Sequence, residues 1–237
     1  MSSTANVVLV AGGTGGLGRA VTLAFLNDGA SVVTTYVSDQ EFSELETAAG
    51  GETRLLAGRK VDVTDEPAVQ QLVEGILADY GSLDVLVNTV GGYAGGMKLW
   101  EMDSKSLDRL LTLNLRSGFI LSRAAARIMI QRGKGSIINV AAKAALDHPP
   151  ELGAYAASKA AALAMMDSLA ADLKGTGVRV NSILPSIIDT PANRKAMPKA
   201  DFGTWPKPED IARVILFLAS DHASVIHGAA IPVYGNA

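Results

Sequence analysis

The chain has 237 residues, of which 48% are hydrophobic and 19% are charged, and this balance excludes a largely disordered protein. Its formal net charge of −3 argues against a general electrostatic grip on nucleic acid. The absence of cysteine excludes disulfides, thiolate metal sites and a cysteine nucleophile, and with only three histidines we expect no metal site.

Short apolar runs alternate with amphipathic segments from the N-terminus onwards. The first ten residues have no basic segment and too short an apolar run for a signal peptide, and no window reaches the length of a membrane span. We therefore expect a soluble, cytoplasmic protein. The pattern predicts a strand at 6–10, a glycine cluster with a helix to about 27, a strand at 31–37, a helix at 40–49, a strand within 54–63, a helix from 65 to about 80 and a strand at 82–88.

The second half continues the alternation with longer helices. We predict helices at 105–132, 153–174 and 209–219, and strands at 136–140, 178–184 and 230–233. Residues 187–206 form the longest irregular segment, either a lid or a surface loop. The whole pattern predicts one α/β domain over 1–237: a Rossmann-type, doubly wound parallel sheet of about seven strands with helices on both faces.

The glycine cluster is the first candidate for a binding site. Residues 11–18 read AGGTGGLG, in which Gly12, Gly16 and Gly18 fit GxxxGxG, and Gly13, Gly15 and Gly18 fit GxGxxG. The cluster follows the first strand and opens the first helix, where backbone N–H groups can approach a pyrophosphate. It predicts a dinucleotide site; the alternative is a tight strand–helix turn without a ligand.

The residues after the second strand bear on the choice of cofactor. Tyr36 stands where a ribose-binding acid is expected, so a 2′-phosphate is not repelled there. Thr35 and Ser38 can donate hydrogen bonds to such a phosphate and Arg19 is expected close by, whereas Asp39 acts in the opposite sense. This favours NADP(H) and leaves NAD(H) open.

Tyr155 and Lys159 are four residues apart, so on a helix they share one face. A free phenol has a pKa of about 10, too high for easy proton exchange at neutral pH. We expect the nearby ammonium to lower the pKa of the phenol and make it a general acid/base. Alone such a pair is commonplace, but here it follows the fifth strand of a dinucleotide-binding pattern.

Several motifs in order resemble the short-chain dehydrogenase/reductase family along essentially the whole chain. The motifs are AGGTGGLG at 11–18, Asp62 in VDVT, Asn88 in NTVGG, Asn114 in LTLNL, YAASK at 155–159, NSILP at 181–185, and the run Asp189, Thr190 and Pro191.

The resemblance implies roles for individual residues. Tyr155 is implied as general acid/base, Lys159 as the group that lowers the tyrosine pKa and holds the nicotinamide ribose, and Asn114 as support for a proton relay. Asn114 is also a poor helix former at a mid-helix position, which requires a reason. Cofactor contacts are implied, besides Lys159, for Gly12, Thr14, Gly16, Leu17, Gly18, Tyr36, Ser38, Asp62, Val63, Asn88, Pro185, Ile188 and Thr190. For Asp62 and Asn88 the alternative is strand-end capping. The family commonly pairs through its two long helices, which implies a homodimer or homotetramer.

One position departs from the family pattern. The family usually has a serine thirteen residues before the tyrosine, and here that position is Ala142. The loss of such a hydrogen-bond donor costs about 3 kcal/mol of transition-state stabilisation in a carbonyl reduction. The segments AAKAALD at 141–147, GGYAGG at 91–96 and 189–205 resemble dihydropteridine reductases, a branch that also has alanine there. That branch is expected to carry an acid after the second strand and to prefer NADH, and Tyr36 departs from it.

The resemblance implies an NAD(P)H-dependent reductase of a small conjugated acceptor, with a quinonoid dihydropteridine as the best candidate. The alternatives are a carbonyl or 3-oxoacyl-thioester reductase that works without the serine, and a non-catalytic NAD(P)-binding sensor. Asp147 and His148 precede two prolines and are interpreted as a turn. Candidate substrate contacts are Tyr93, Met97, Ala142, Asp147, Asn193, Met197 and Trp205.

Overall fold

A computed structural model of the protein describes residues 6–236. Residues 1–5 and 237 lie outside the described residues, so the interpretation of the extreme N-terminus and the outer limits of the predicted domain stay predictions. The described strands are β1 Val7–Ala11, β2 Ser31–Tyr36, β3 Leu56–Lys60, β4 Val85–Asn88, β5 Gly135–Val140, β6 Val178–Pro185 and β7 Ala230–Val233.

The strands form one parallel sheet in the order β3-β2-β1-β4-β5-β6-β7. The predicted seven-stranded, doubly wound fold is confirmed. The chain winds in opposite directions from β1 to β2 and from β1 to β4, so a crevice opens at the carboxyl ends of β1 and β4. The glycine cluster directly follows β1 and therefore lies at this crevice.

Helices cover both faces of the sheet. The helices are α1 Gly16–Asn27, α2 Asp39–Ala49, α3 Glu66–Tyr80, α4 Ser104–Leu111, α5 Ser117–Arg132, α6 Ala144–Asp147, α7 Gly153–Asp172, α8 Pro191–Ala196 and α9 Pro208–Ala219.

Alternate residues of β1 belong to different cores. Leu9 packs with α3, α5 and α7, whereas Val8 and Val10 pack with α1 and α9. Because both faces are covered, all five residues of β1 are buried, as its continuous apolar sequence predicted.

The helix predicted at 105–132 is not one continuous α-helix. Between α4 and α5 the chain forms a π-helical turn, Thr112–Arg116, with Asn114 buried at its centre. Such a turn inserts an extra residue into the helical ladder and is frequent at functional sites. It supplies the reason for a poor helix former at this position, because the local widening turns Asn114 towards the loop after β4.

The prediction that residues 187–206 are irregular is wrong in part. Thr190 caps α8 by accepting a hydrogen bond from the N–H of Asn193, and Pro191 supplies the fixed φ that suits the first turn. A short 3-10 turn, Phe202–Thr204, follows, with the Asp201 side chain as its cap. The segment is therefore locally structured.

No helix within residues 6–236 is long and apolar enough to cross a membrane. In the same part of the chain, no cluster of three or more histidine, aspartate or glutamate side chains could hold a metal ion.

Candidate active site

The glycine-rich turn leaves the first helix with open backbone amides. Gly12 has a φ of +75°, which favours glycine, and its N–H donates to Thr35 Oγ1 at 2.9 Å. α1 begins at Gly16 without a side-chain cap and without an acidic residue in its first turn. Its first N–H groups are therefore free to bind an anion, and the helix dipole favours a negative charge there.

The turn is also too close to its neighbours to carry side chains. A Cβ at Gly18 would lie 2.1 Å from the Gly12 carbonyl oxygen, and one at Gly16 would lie 2.9 Å from Thr190 Cγ2. Thr190, at the start of the 187–206 segment, therefore faces the glycine-rich turn. This cradle of bare backbone, closed on one side by Thr190, fits a pyrophosphate, as expected for a dinucleotide cofactor. Of the other predicted cofactor contacts, Leu17, Val63 and Pro185 are buried and Ile188 is half-buried.

Tyr36 is fixed at the end of β2 by a stacked contact with Phe42, whose ring centroid is 4.5 Å away. Lys60 lies close to Tyr36 and pairs with Asp39 at 2.5 Å, and the hydrogen bond that the exposed ammonium donates to this carboxylate raises the pKa of Lys60. Asp39 is thus partly neutralised. Ser38 caps α2 by accepting from the N–H of Glu41 at 3.4 Å.

One expectation at this end of the site is corrected. Thr35 is 2% exposed, and its hydroxyl accepts from the Gly12 N–H, so the side chain supports the turn from below and does not reach a 2′-phosphate. Arg19 is drawn to Glu44 of α2, with 3.9 Å between the charged atoms and a second bond to the Glu44 carbonyl.

Asp62 and Asn88 both form hydrogen bonds of the strand-end capping kind, which was the alternative to cofactor binding for these two residues. Asp62 Oδ1 accepts from the N–H and hydroxyl of Thr64, which lowers the pKa of the carboxyl. Asn88 is 1% exposed; its amide donates to Asn139 and its oxygen accepts from the Val90 N–H. These bonds shape the carboxyl edges of the sheet around the predicted adenosine site.

Tyr155 and Lys159 lie on one face of α7, as predicted from their spacing. Lys159 is 6% exposed, and its ammonium donates to the carbonyl oxygen of Val140, at the end of β5, at 3.0 Å. Ser158 lies between them in sequence and donates to the Tyr155 carbonyl at 2.8 Å. The pair therefore faces the carboxyl end of β5.

The expected effect of Lys159 on the tyrosine pKa is not found in this structure. Burial raises the pKa of Tyr155 to about 12, and the nearby Tyr93 adds to the effect. Burial also lowers the pKa of Lys159 to about 8. The physical reason is that desolvation outweighs attraction here, because the ammonium points to the Val140 carbonyl. The Tyr155 phenol is therefore protonated at neutral pH.

Asn114 joins this pair to the loop after β4. Its Oδ1 accepts from the N–H of Gly92 at 2.8 Å, and its Nδ2 donates to the Gly92 carbonyl at 3.0 Å and to the hydroxyl of Ser158 at 2.9 Å. Gly91 is equally constrained, since a Cβ there would lie 2.8 Å from Asn114 Oδ1 and 3.0 Å from Lys159 Nζ. The three predicted catalytic residues thus converge.

Ala142 lies beside Tyr155 in a small apolar cluster, and Tyr93 meets the Tyr155 ring edge-on with centroids 5.1 Å apart.

Three other candidate substrate contacts are already engaged elsewhere. Asn193 donates to the Ile188 carbonyl, the buried Trp205 packs on Phe202, and Asp147 lies 3.9 Å from Lys143 at the end of the short helix α6. Met197 is half-buried after α8 and Met97 is exposed. His148 follows α6 with a φ of +48°, which agrees with the predicted turn.

The sequence did not single out two residues that shape the site. Thr89 donates to the carbonyls of Ala11 and Gly12, and so joins the end of β4 to the glycine-rich turn. Glu41 of α2 accepts a hydrogen bond from Thr14 at 2.9 Å. Thr89 stands within the motif NTVGG, which offered a signal, but the approach of Glu41 depends on how α2 packs and had none.

A separate cleft of about 1110 Å³ opens where the strands begin and contains none of the predicted site residues. Arg179 lines it and donates to the carbonyls of Leu218, Ala219, Ser220 and Ile226. Three of these carbonyls, those of residues 218–220, lie at the C-terminus of α9, so we assign Arg179 a structural role.

Residues 11–235 match the family described as Enoyl-(Acyl carrier protein) reductase. The chain is 33% identical to the 3-oxoacyl-[acyl-carrier-protein] reductase FabG of Thermotoga maritima, over 97% of this chain and 96% of that protein. It is 32% identical to the D-threitol dehydrogenase of Mycolicibacterium smegmatis, over 97% of this chain and 92% of that protein.

Solved structures have the same fold. A short-chain type dehydrogenase/reductase from Mycobacterium ulcerans superposes with a TM-score of 0.91 at 28% identity, covering 100% of this chain and 90% of that one. ElxO, in a structure with NADP bound, also superposes with a TM-score of 0.91, over 98% of both chains; at 23% identity this likeness concerns the fold alone.

Proposed function

This chain belongs to the short-chain dehydrogenase/reductase family and is an NAD(P)-dependent oxidoreductase, and from that premise we propose that it reduces a small conjugated acceptor, best a quinonoid dihydropteridine. One observation carries the proposal: a half-buried, protonated Tyr155 stands beside an alanine, Ala142, where a ketone reductase of this family usually has a hydroxyl. A conjugated, imine-like ring spreads the developing charge and depends less on that hydroxyl than a ketone does.

The residues of the chain have separate tasks in this proposal. A reduced nicotinamide bound at the glycine-rich turn would supply the hydride. In a quinonoid dihydropterin this hydride forms a new N–H bond at a ring nitrogen, because the reduced ring carries its added hydrogens on nitrogen. Tyr155 donates its proton to a second heteroatom conjugated with that nitrogen and is reprotonated from solvent, so the acceptor gains one hydride and one proton. Lys159, held by Val140, faces the predicted nicotinamide ribose, and Asn114 fixes the loop that covers the reacting pair.

We propose NADP(H) as the preferred cofactor. The end of β2 carries Tyr36 in place of an acid, and the ammonium of Lys60 lies beside it. Glu41 is the carboxylate that opposes a 2′-phosphate at Thr14. We expect tighter binding of NADPH than of NADH, and a gain in NADPH affinity in Glu41→Gln. Tighter NADH binding by the unaltered protein would reverse the assignment.

The FabG relative favours a second candidate, reduction of a 3-oxoacyl thioester or another ketone. A panel of acceptors separates the two: a quinonoid dihydropterin, a 3-oxoacyl thioester and simple ketones, each with NADPH and NADH. Efficient dihydropterin reduction, with Ala142→Ser giving no gain on ketones, supports the first candidate. No turnover of the dihydropterin, with a large gain on ketones in Ala142→Ser, supports the second.

We also propose that the chain pairs with itself through α5 and α7. Phe119 and Ile130 are exposed on α5, at 43% and 45%, and the guanidinium of Arg123 lies 5.2 Å from the Phe119 ring centroid. Sedimentation of the protein and of Phe119→Asp tests this: a dimer or tetramer that dissociates in the variant supports the pairing, and a monomeric protein contradicts it.

A further inference from the structure

The active site lacks a hydroxyl at the end of β5. Ala142 is 7% exposed and packs with Ala144, Ala156, Leu152 and the ring of Tyr155. A methyl group in such a cluster donates no hydrogen bond. If the reaction needs a second donor besides Tyr155, that donor must come from another element.

Tyr93, on the loop after β4, brings a second phenol to the same place. The rings of Tyr93 and Tyr155 meet edge-on at 68°, with 5.1 Å between their centroids. Tyr93 is 64% exposed, whereas Tyr155 is half-buried. Within residues 6–236 neither hydroxyl has a hydrogen-bond partner, so both are available to a ligand. The Tyr93 phenol is near enough to oppose ionisation of Tyr155.

The loop holds Tyr93 at both ends. Asn114 binds both peptide groups of Gly92, and the Gly96 N–H donates to the Glu151 carbonyl at 3.2 Å. A Cβ on Gly95 would lie 2.5 Å from Tyr93 Oη and 2.2 Å from Leu152 Cδ2. The Tyr93 hydroxyl therefore occupies space that only a glycine at 95 leaves open, beside a leucine of the Ala142 cluster.

We propose that the Tyr93 hydroxyl is the second hydrogen-bond donor of this active site, which contacts the acceptor in place of the hydroxyl missing at Ala142. This inference rests on the proposed reductase function. Tyr155 transfers its proton, while Tyr93 donates a hydrogen bond and keeps its proton. Two phenols on neighbouring elements suit an acceptor with two heteroatoms on one edge, such as a ring nitrogen beside a ring carbonyl.

The test compares Tyr93→Phe with the unaltered protein, on whichever acceptor of the panel that protein reduces fastest. We expect kcat to fall about 100-fold, as for the loss of one oxyanion donor, with the KM for NADPH unchanged. The ring stays, so packing on Tyr155 is kept. Tyr80→Phe, the same change on α3, is the matched control and is expected to leave kcat within twofold.

Rescue separates hydrogen bonding from a structural effect. Ala142→Ser alone is expected to change the kcat of dihydropterin reduction little. In the Tyr93→Phe background, the same substitution is expected to raise kcat at least tenfold. The inference is overturned by a Tyr93→Phe variant that keeps at least half of the kcat. It is also overturned if the KM for the acceptor rises while kcat stays unchanged. If the protein does not reduce dihydropterin but does reduce a ketone, the proposed acceptor is wrong. The role of Tyr93 is then tested separately, by comparing Tyr93→Phe with the unaltered protein on that ketone.

Discussion

Asn114 holds both peptide groups of Gly92 with one side chain, accepting from its N–H at 2.8 Å and donating to its carbonyl at 3.0 Å. The bonds join a π-helical turn to the loop that carries Tyr93. The spacing of these bonds leaves the loop little freedom to slide, because donor and acceptor are fixed in one planar amide.

Asn114→Ala is expected to lower kcat at least tenfold and the free energy of unfolding by about 1–3 kcal/mol, because two half-buried peptide groups and the buried Ser158 hydroxyl lose their partner. If Asn114 acts through Tyr93, its removal costs much less in a Tyr93→Phe background than alone. Steady-state kinetics and urea unfolding of the unaltered protein, the two single variants and the double variant give this double-mutant cycle. Strictly additive losses in kcat contradict this positioning role.

Tyr155→Phe is expected to reduce turnover by about 10²–10⁴-fold, the range for the loss of a general acid. The phenyl ring keeps the contact with Tyr93, and the glycine-rich turn is untouched, so the NADPH dissociation constant stays within twofold. Single-turnover rates and NADPH fluorescence titration measure the two quantities. Turnover close to that of the unaltered protein would remove Tyr155 from the chemistry.

The fold was predictable because its signals are local. The apolar run of β1, the glycines that follow it and the tyrosine–lysine spacing on α7 each act within a few residues, and each was placed correctly. The α4–α5 segment was not, because its apolar spacing fits a continuous α-helix equally well. The π turn coincides with the bonds between Asn114 and Gly92, which join segments far apart in the sequence and therefore leave no local signal.

The sequence predicted which residues converge at the candidate site better than it predicted their electrostatics. A neighbouring ammonium lowers the pKa of a phenol in principle, but the direction here depends on burial and on the Val140 carbonyl, which only the packing of α7 on β5 reveals. For the same reason the sequence paired neither Tyr93 with Tyr155 nor Glu41 with Thr14, since these contacts join distant segments.

The pH dependence of activity follows from the two pKa values. Tyr155, with a pKa near 12, stays protonated in the neutral range, and Lys159, with a pKa near 8, loses its charge above that pH. Reduction is expected to be flat below pH 8 and to fall above it as the ammonium deprotonates. Oxidation of the reduced product needs the phenolate and is expected to rise with pH. A reduction rate that increases from pH 7 to 9 contradicts this assignment.

Lys159 also links stability to pH. Its folded pKa of about 8 lies below the ordinary value of 10.5, so between these pH values the unfolded chain binds more protons than the folded one. The free energy of unfolding therefore gains a contribution that rises with pH across this window, by up to about 3 kcal/mol. Urea unfolding of the protein and of Lys159→Met at pH 7.5 and 10.5 isolates the contribution of Lys159 to the free energy of unfolding. An identical pH dependence in the two proteins contradicts the buried charge.

Gly18→Ala tests whether the glycine-rich turn needs its close approach. The new Cβ would lie 2.1 Å from the Gly12 carbonyl oxygen and 2.8 Å from Thr89 Oγ1, and backbone cannot yield as a flexible side chain does. We expect a loss of about 1–3 kcal/mol in the free energy of unfolding and at least a tenfold loss of NADPH affinity, because the turn must open.

Gly75→Ala, in the middle of α3, is the matched control for that substitution. A Cβ there meets nothing within 4 Å, so the change should raise the free energy of unfolding by about 0.5–1 kcal/mol through helix propensity alone. Cofactor affinity stays unchanged, since α3 carries none of the predicted contacts. The opposite signs of the two glycine-to-alanine changes separate the requirement for close backbone approach from the general effect of a methyl group on a helix. A Gly18→Ala protein as stable as Gly75→Ala, with unaltered NADPH affinity, would show that the turn accepts a side chain and would remove the geometric basis of the dinucleotide cradle.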